Sequence, residues 1–197
     1  MKEFWNERYA KNEFIYGKEP NEFFREELEN LPVGKVILPC DGEGRNAVFA
    51  AKLGWYVNAF DFSPSAKEKA KALAKQEGVN PKYEVADILE KEFKENSADV
   101  VALIYVHFPA ELRKIAHQKA IKWLKPGGKL ILEAFNPKQI DNDSGGPKNI
   151  DMLYSEDILR EDFKDLKIEK LEILQTNLSE GNFHKGKADV IRLIAIK

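Results

Sequence analysis

From Lys35 to Phe135 the chain alternates short β-rich runs with helical stretches, and this alternation constrains the fold more than any other feature. The runs "KVIL", "WYVNAFDF", "KYEVAD", "DVVALIYVHF" and "KLILEAF" are separated by helical patterns over Arg45–Leu53, Pro64–Glu77 and Pro109–Leu124, with only a brief connector after the third run. Strands alternating with helices predict a doubly wound α/β sheet, mostly parallel, with helices on both faces. The punctuation agrees: Ser63 precedes Pro64 as N-cap and first helical residue, Gly78 closes that helix, Pro109 opens the next and "KPGG" at 125–128 stops it.

The flanks extend this pattern. Residues 2–11 and 20–30 fit two short helices around "EFIYGKEP", so residues 1–31 are expected to form a helical cover ahead of a core over 35–197, all one domain. The tail predicts a short helix over Ser155–Phe163, then β runs over Leu166–Thr176 and Ala188–Lys197. The interval "NLSEGNFHKGK" is read as a loop; it holds no helix, so the two runs should be antiparallel. Residues 136–154 carry two prolines, two glycines and few apolar side chains, longer than an ordinary connector, and are read as a lid.

Charge narrows the partners. Against 33 acidic residues the 31 basic ones are scattered, net −2, which leaves no electrostatic footprint for nucleic acid. The start "MKEFWNERYAK" is too charged for a secretion signal and the longest apolar run, Val100–Phe108, is far short of a span, so a cytoplasmic protein without a membrane partner is expected. Cys40 stands alone; it is read as a buried small side chain at a strand end, and no metal site is expected.

The turn after the first run, in "VILPCDGEGRNAVFAAKLG", carries the chemistry. Gly42, Gly44 and Ala47 spell the dinucleotide fingerprint, and Asp61 follows at the distance of a ribose-binding acid. Yet Asp41 and Glu43 occupy the turn where pyrophosphate would sit, with no lysine, and a carboxylate about 4 Å from a phosphate costs about 1 to 4 kcal/mol. A cationic ligand without phosphate suits the loop better. S-adenosylmethionine carries a sulfonium and an ammonium, and its adenosine needs acids after the second and third strands, which Asp61 in "AFDFS" and Asp87 in "VADIL" supply.

The segments "DGEGRNAVFAAKLG", "AFDFSPSAKEKAKALA", "VADI" and "LKPGGKLILEAF" together resemble class I S-adenosylmethionine-dependent methyltransferases. With "FWNERYA" and "YGKEPNEF" the chain looks most like the tellurite-resistance and thiopurine methyltransferase-like branch. The resemblance implies seven strands with the last antiparallel, and a cofactor held by Trp5, Tyr16, Asp41, Gly42, Gly44, Arg45, Asn46, Asp61, Phe62, Asp87, Ile88 and Val106. Leu38 and Cys40 stand where the family has an acid and a glycine, which leaves Asp41 or a backbone carbonyl for the methionine ammonium.

Methyl transfer is an in-line displacement that asks mainly for positioning and exclusion of water. His107, in "IYVHFPAELR", is the candidate base, set against a plain structural role; His117 and His184 are expected at the surface. No Asn-Pro-Pro-aromatic motif is present, which demotes amino acceptors, and "DNDSGGPKNID" fails as a calcium loop because Gly145 and Met152 fall where oxygen ligands are required. The reading is a methyltransferase acting on a small soft nucleophile such as a thiol or a tellurium or selenium oxyanion. A catalytically silent cofactor-binding protein of the same fold and an NAD-dependent oxidoreductase stand as rivals.

Overall fold

In a computed structural model, residues 2–197 are described; Met1, the first residue of the expected domain, lies outside them. The described residues form one seven-stranded sheet with strand order β3-β2-β1-β4-β5-β7-β6. Strands β1 (Lys35–Pro39), β2 (Tyr56–Asp61), β3 (Lys82–Val85), β4 (Ala98–Ile104) and β5 (Leu124–Phe135) pair in parallel. β7 (His184–Ile196) runs antiparallel to both β5 and β6 (Lys167–Glu180).

The helices are α1 (Lys2–Tyr9), α2 (Glu22–Glu29), α3 (Arg45–Lys52), α4 (Pro64–Gln76), α5 (Ala110–Trp123) and α6 (Glu156–Asp162). Their starts follow from local chemistry: the side chains of Asn21, Ser63 and Ser155 accept from the backbone N–H three residues on, capping α2, α4 and α6. Alternate side chains of the central strands enter opposite layers. Ile37, Val101, Leu103, Leu130 and Leu132 face α5, while Val36, Leu38, Val100, Ala102 and Ile131 face α2 and α3. The strand order reverses between β1 and β4, so the carboxyl ends of these two strands open the crevice in which such sheets bind ligands.

The interval between the last two β runs departs from expectation. β6 and β7 stay paired as far as Glu180 and His184, leaving a turn of only Gly181, Asn182 and Phe183. The turn docks on the N-terminal cover, where the Asn182 N–H donates to the Ile15 carbonyl, and the strands are extended by that support. The polar composition of the interval hid the strand extension, within which Glu180 and His184 pair with each other.

Candidate active site

A cavity of about 430 Å³ opens at the carboxyl ends of β1 and β4. Its floor is Leu38 to Asp41 with Ala102, Ile104 and Tyr105; α1 and its connector contribute Phe4, Trp5, Arg8, Tyr9 and Tyr16; Gly146, Pro147, Lys148 and Met152 of the expected lid form one wall, and Phe135, His107 and His184 the far end. Of the sequence-predicted residues, Trp5, Tyr16, Asp41, Gly42, Arg45, Asn46 and His107 lie on this wall. Gly44 sits behind it as the N-cap of α3 with φ +86°, where a Cβ would collide with Ala70 of α4; only glycine allows the two helices this approach.

The two loop carboxylates have parted. Glu43 also borders the cavity, but its buried carboxylate is committed: it accepts from the N–H groups of Ile15 (2.7 Å) and Tyr16 (3.3 Å) and is neutralised by Lys69 at 2.7 Å. It therefore clamps the N-terminal cover onto the loop, and the electrostatic argument against phosphate rests on Asp41 alone. Asp41 lines the cavity, accepts from the Ala47 N–H at 3.3 Å and has no ion pair among the described residues. Burial raises its pKa to about 8, against the pull of the Ala47 N–H and Arg45. A carboxylate held this way fits a cation arriving in the cavity.

The adenosine-side acids are placed differently from the wall residues. Asp61 is buried at the end of β2, accepting from the N–H groups of Gly42 (3.2 Å) and Ser63 (2.9 Å), with its pKa raised to about 6 by burial. Tyr9 closes over the same loop: its hydroxyl lies against Gly42 and its ring stacks on Trp5 at 5.6 Å. Asp61 and Asp87 lie outside the cavity wall; Asp87 follows β3 and accepts from the Leu89 N–H at 3.0 Å. Phe62 is half-buried, and Ile88 and Val106 belong to the core beneath α5. Tyr9 is thus a cavity residue beside Trp5 and Tyr16.

His107 has both ring nitrogens engaged. Nδ1 donates to the Met152 carbonyl at 2.7 Å and Nε2 accepts from the Phe135 N–H at 3.2 Å. Burial lowers its pKa to about 4, so the ring is neutral at pH 7 and ties the 136–154 segment to the end of β5. No nitrogen is left for a substrate proton.

The expectation that His117 and His184 are surface residues is overturned, since both are buried. His117 reaches Asp162 at 2.8 Å, Asp162 also binds Arg113 at 2.7 Å, and the set joins α5 to α6. His184 enters the cavity because the hairpin is longer than its composition suggests. Around it runs a buried polar chain. Glu180 accepts from Arg45 (2.8 Å), His184 Nδ1 (3.1 Å) and Asn21 (3.0 Å); Asn21 also donates to Glu133 at 2.6 Å, and Glu133 accepts from Arg192 at 2.5 Å. Burial alone would raise the pKa of Glu180, but the Arg45 charge and the His184 N–H hold it at about 2. Nothing in the spacing of these residues announces the chain, since it joins five separate elements.

Comparison with known proteins is consistent with this geometry. Residues 38–128 match the family model described as a methyltransferase domain. Thiocyanate methyltransferase 1 of Brassica oleracea is 30% identical over 136 residues, covering 66% of this chain and 58% of that protein. The probable thiol methyltransferase 2 of Arabidopsis thaliana is 31% identical over 127 residues, covering 61% and 54%. The chain thus spans just over half the length of these relatives. Among solved structures, TehB from Haemophilus influenzae superposes with a TM-score of 0.73 at 17% identity, over 100% of this chain and 66% of that one. A protein described for the conversion of a disulfide bond into a thioacetal group during echinomycin biosynthesis gives 0.83 at 18%, over 100% and 91%. At such identities the likeness concerns the fold. Among the described residues no helix is long and apolar enough to cross a membrane.

Proposed function

We propose that this chain, which matches a methyltransferase domain and has the fold of class I S-adenosylmethionine-dependent methyltransferases, is of the tellurite-resistance and thiopurine methyltransferase-like kind and methylates a small sulfur nucleophile, a thiol or thiocyanate. The observation that carries this reading is the cavity itself. It is closed by aromatic rings and by the 136–154 segment, is too small for a polymeric acceptor, and has an ionisable carboxylate, Asp41, at one end and a polar chain at the other.

When bound, S-adenosylmethionine supplies an electrophilic methyl group on a sulfonium. Asp41 would face the ammonium, Asp61 the ribose hydroxyls and Asp87 the adenine amino group, while Arg45 and Asn46 hold the loop that presents them. Arg45 donates to the carbonyls of Tyr16 and Glu19, and Asn46 accepts from the Asn21 N–H, so the cover and the loop move as a unit. Trp5, Tyr16, Tyr105 and Phe135 exclude water and offer polarisable faces to a soft acceptor and a cation.

The test is calorimetric titration with S-adenosylhomocysteine and with NADH, followed by a methyl-transfer screen on an alkyl thiol, thiocyanate, selenite and tellurite. Binding of the first ligand only, with transfer to sulfur acceptors, is the expected outcome. Asp61→Ala should weaken S-adenosylhomocysteine by about 1.5 to 3 kcal/mol, the range of a charged hydrogen-bond partner. Tight NADH binding, or binding without transfer to any acceptor, would return the choice to the oxidoreductase or to the silent protein.

A further inference from the structure

Three histidines, His117 and His184 buried and His107 half-buried, differ in what their second nitrogen meets. In His107 it is bonded to the Phe135 N–H, and in His117 it is sealed into the core without a partner. His184 is the third case. Its Nδ1 faces the Glu180 carboxylate, an acceptor, so Nδ1 carries the proton and Nε2 presents a lone pair. Nε2 has no hydrogen bond among the described residues, and the ring lies on the cavity wall.

The surroundings fix this orientation from several elements. The ring packs edge-on against Tyr105 (4.5 Å) and Phe135 (5.3 Å) and tilts on Tyr16 (4.5 Å). Gly145 of the lid segment flanks the Nε2 edge with φ +123°, and a Cβ there would stand 3.2 Å from Nε2 and closer still to Cδ2. Room beside Nε2 therefore depends on a residue without a side chain.

We propose that His184 is the base that accepts the proton of a thiol acceptor, and that Glu180, anchored by Arg45, is its positioning residue. This rests on the sulfur-directed reading above. As the acceptor sulfur bonds the methyl carbon, the methyl–sulfonium bond breaks with its electron pair left on the departing thioether, and the S–H proton passes to Nε2 and then to water. A free thiol of pKa about 8.5 is only a few per cent thiolate at pH 7, so the base has something to do. Thiocyanate arrives as an anion and needs no such step.

The charges that face the ring are Glu180 on β6, Arg45 on α3 and Glu133 on β5, with the neutral rings of Tyr16, Tyr105 and His107 around it. Burial depresses its pKa below the ordinary histidine value, with Glu180 opposing, which keeps it neutral and proton-accepting at pH 7.

Two measurements test the proposal. Diethyl pyrocarbonate, mapped by mass spectrometry at pH 7 on the whole chain, should modify His184 and spare His107 and His117; an unmodified His184 would overturn the assignment of a free Nε2. In His184→Gln the ratio of kcat/KM for an alkyl thiol over that for thiocyanate should fall about 100-fold or more. Its thiol activity should rise about tenfold per pH unit from 6 to 8, following thiolate, where the parent is flat. Glu180→Gln should move the same way by a smaller factor. Equal loss on both acceptors with an unchanged pH profile would make His184 a packing residue and sink the idea. If the parent transfers to neither acceptor, it is the sulfur reading that fails, and the modification pattern still decides whether Nε2 is free.

Discussion

Two histidines pack against the Phe135 ring in opposite states. His107 lies parallel to the ring at 5.6 Å with both nitrogens committed to backbone groups; His184, on the cavity wall, meets it edge-on at 5.3 Å with Nδ1 bonded and Nε2 without a hydrogen bond among the described residues. The difference does not follow burial, since the half-buried His107 is the saturated one and the buried His184 is not. It comes from the partners: a carbonyl and an N–H together saturate an imidazole, whereas a single carboxylate fixes the tautomer and leaves a lone pair. A histidine in a cavity wall is a reactive group only when the fold leaves it unsatisfied.

The largest effect that would break the comparison lies on the His184 side. Glu180→Ala leaves Arg45 buried without its carboxylate, and should cost about 3 to 5 kcal/mol in urea unfolding. A loss below about 1 kcal/mol would mean that the Arg45–Glu180 pair is solvated and cannot orient the imidazole.

On the other side, His107→Ala orphans the Phe135 N–H and the Met152 carbonyl, with an expected cost of about 2 to 4 kcal/mol from two unpaired groups. S-adenosylhomocysteine affinity and the pH profile of transfer should stay near the parent's. A rise of about tenfold per pH unit from 6 to 8 in this variant, against a flat parent, would restore His107 as the base.

Acid separates the two sides further. Because the His107 pKa falls from about 6.5 unfolded to about 4 folded, the unfolded chain binds the extra proton first. Its contribution is present above pH 6.5 and is lost as pH falls towards 4, by up to about 3 kcal/mol. Glu180, depressed from 4.5 to about 2, loses its contribution as pH falls from about 4.5 towards 2. Because the raised carboxyls of Asp61 and Asp41 pull the absolute curve the other way in this window, the reading is the difference: the unfolding free energy of the parent minus that of His107→Gln should fall between pH 6.5 and 4, and a constant difference would remove His107 from the balance.

The smallest effect concerns the opposite end of the cavity. Asp41 is largely protonated at pH 7, and a cationic ligand beside it should draw its pKa down and release a proton. Titration of S-adenosylhomocysteine in buffers of different ionisation enthalpy should show more proton release for the parent than for Asp41→Asn. Equal release would move the ammonium contact to a backbone carbonyl.

The sequence by itself determined the alternating sheet, its helix caps and the ligand loop, because these depend on neighbours within a few residues: Ser63 before Pro64, Gly44 ahead of Arg45, apolar runs of strand length. It also brought Asp41 and the aromatic cover to the right end of the sheet, since β1 must present its following turn at the switch point. Tertiary structure alone decided which polar residues are free. Glu43 and Asp41 are two positions apart and both border the cavity, yet one is consumed by the N–H groups of Ile15 and Tyr16 and by Lys69, while the other has no ion pair among the described residues. His107 and His184 are likewise separated by partners 28 to 45 residues away in one case and by a strand pair four residues apart in the other. Hydrogen-bond saturation is settled by what the folded chain brings within about 3 Å, and composition carries no record of that distance.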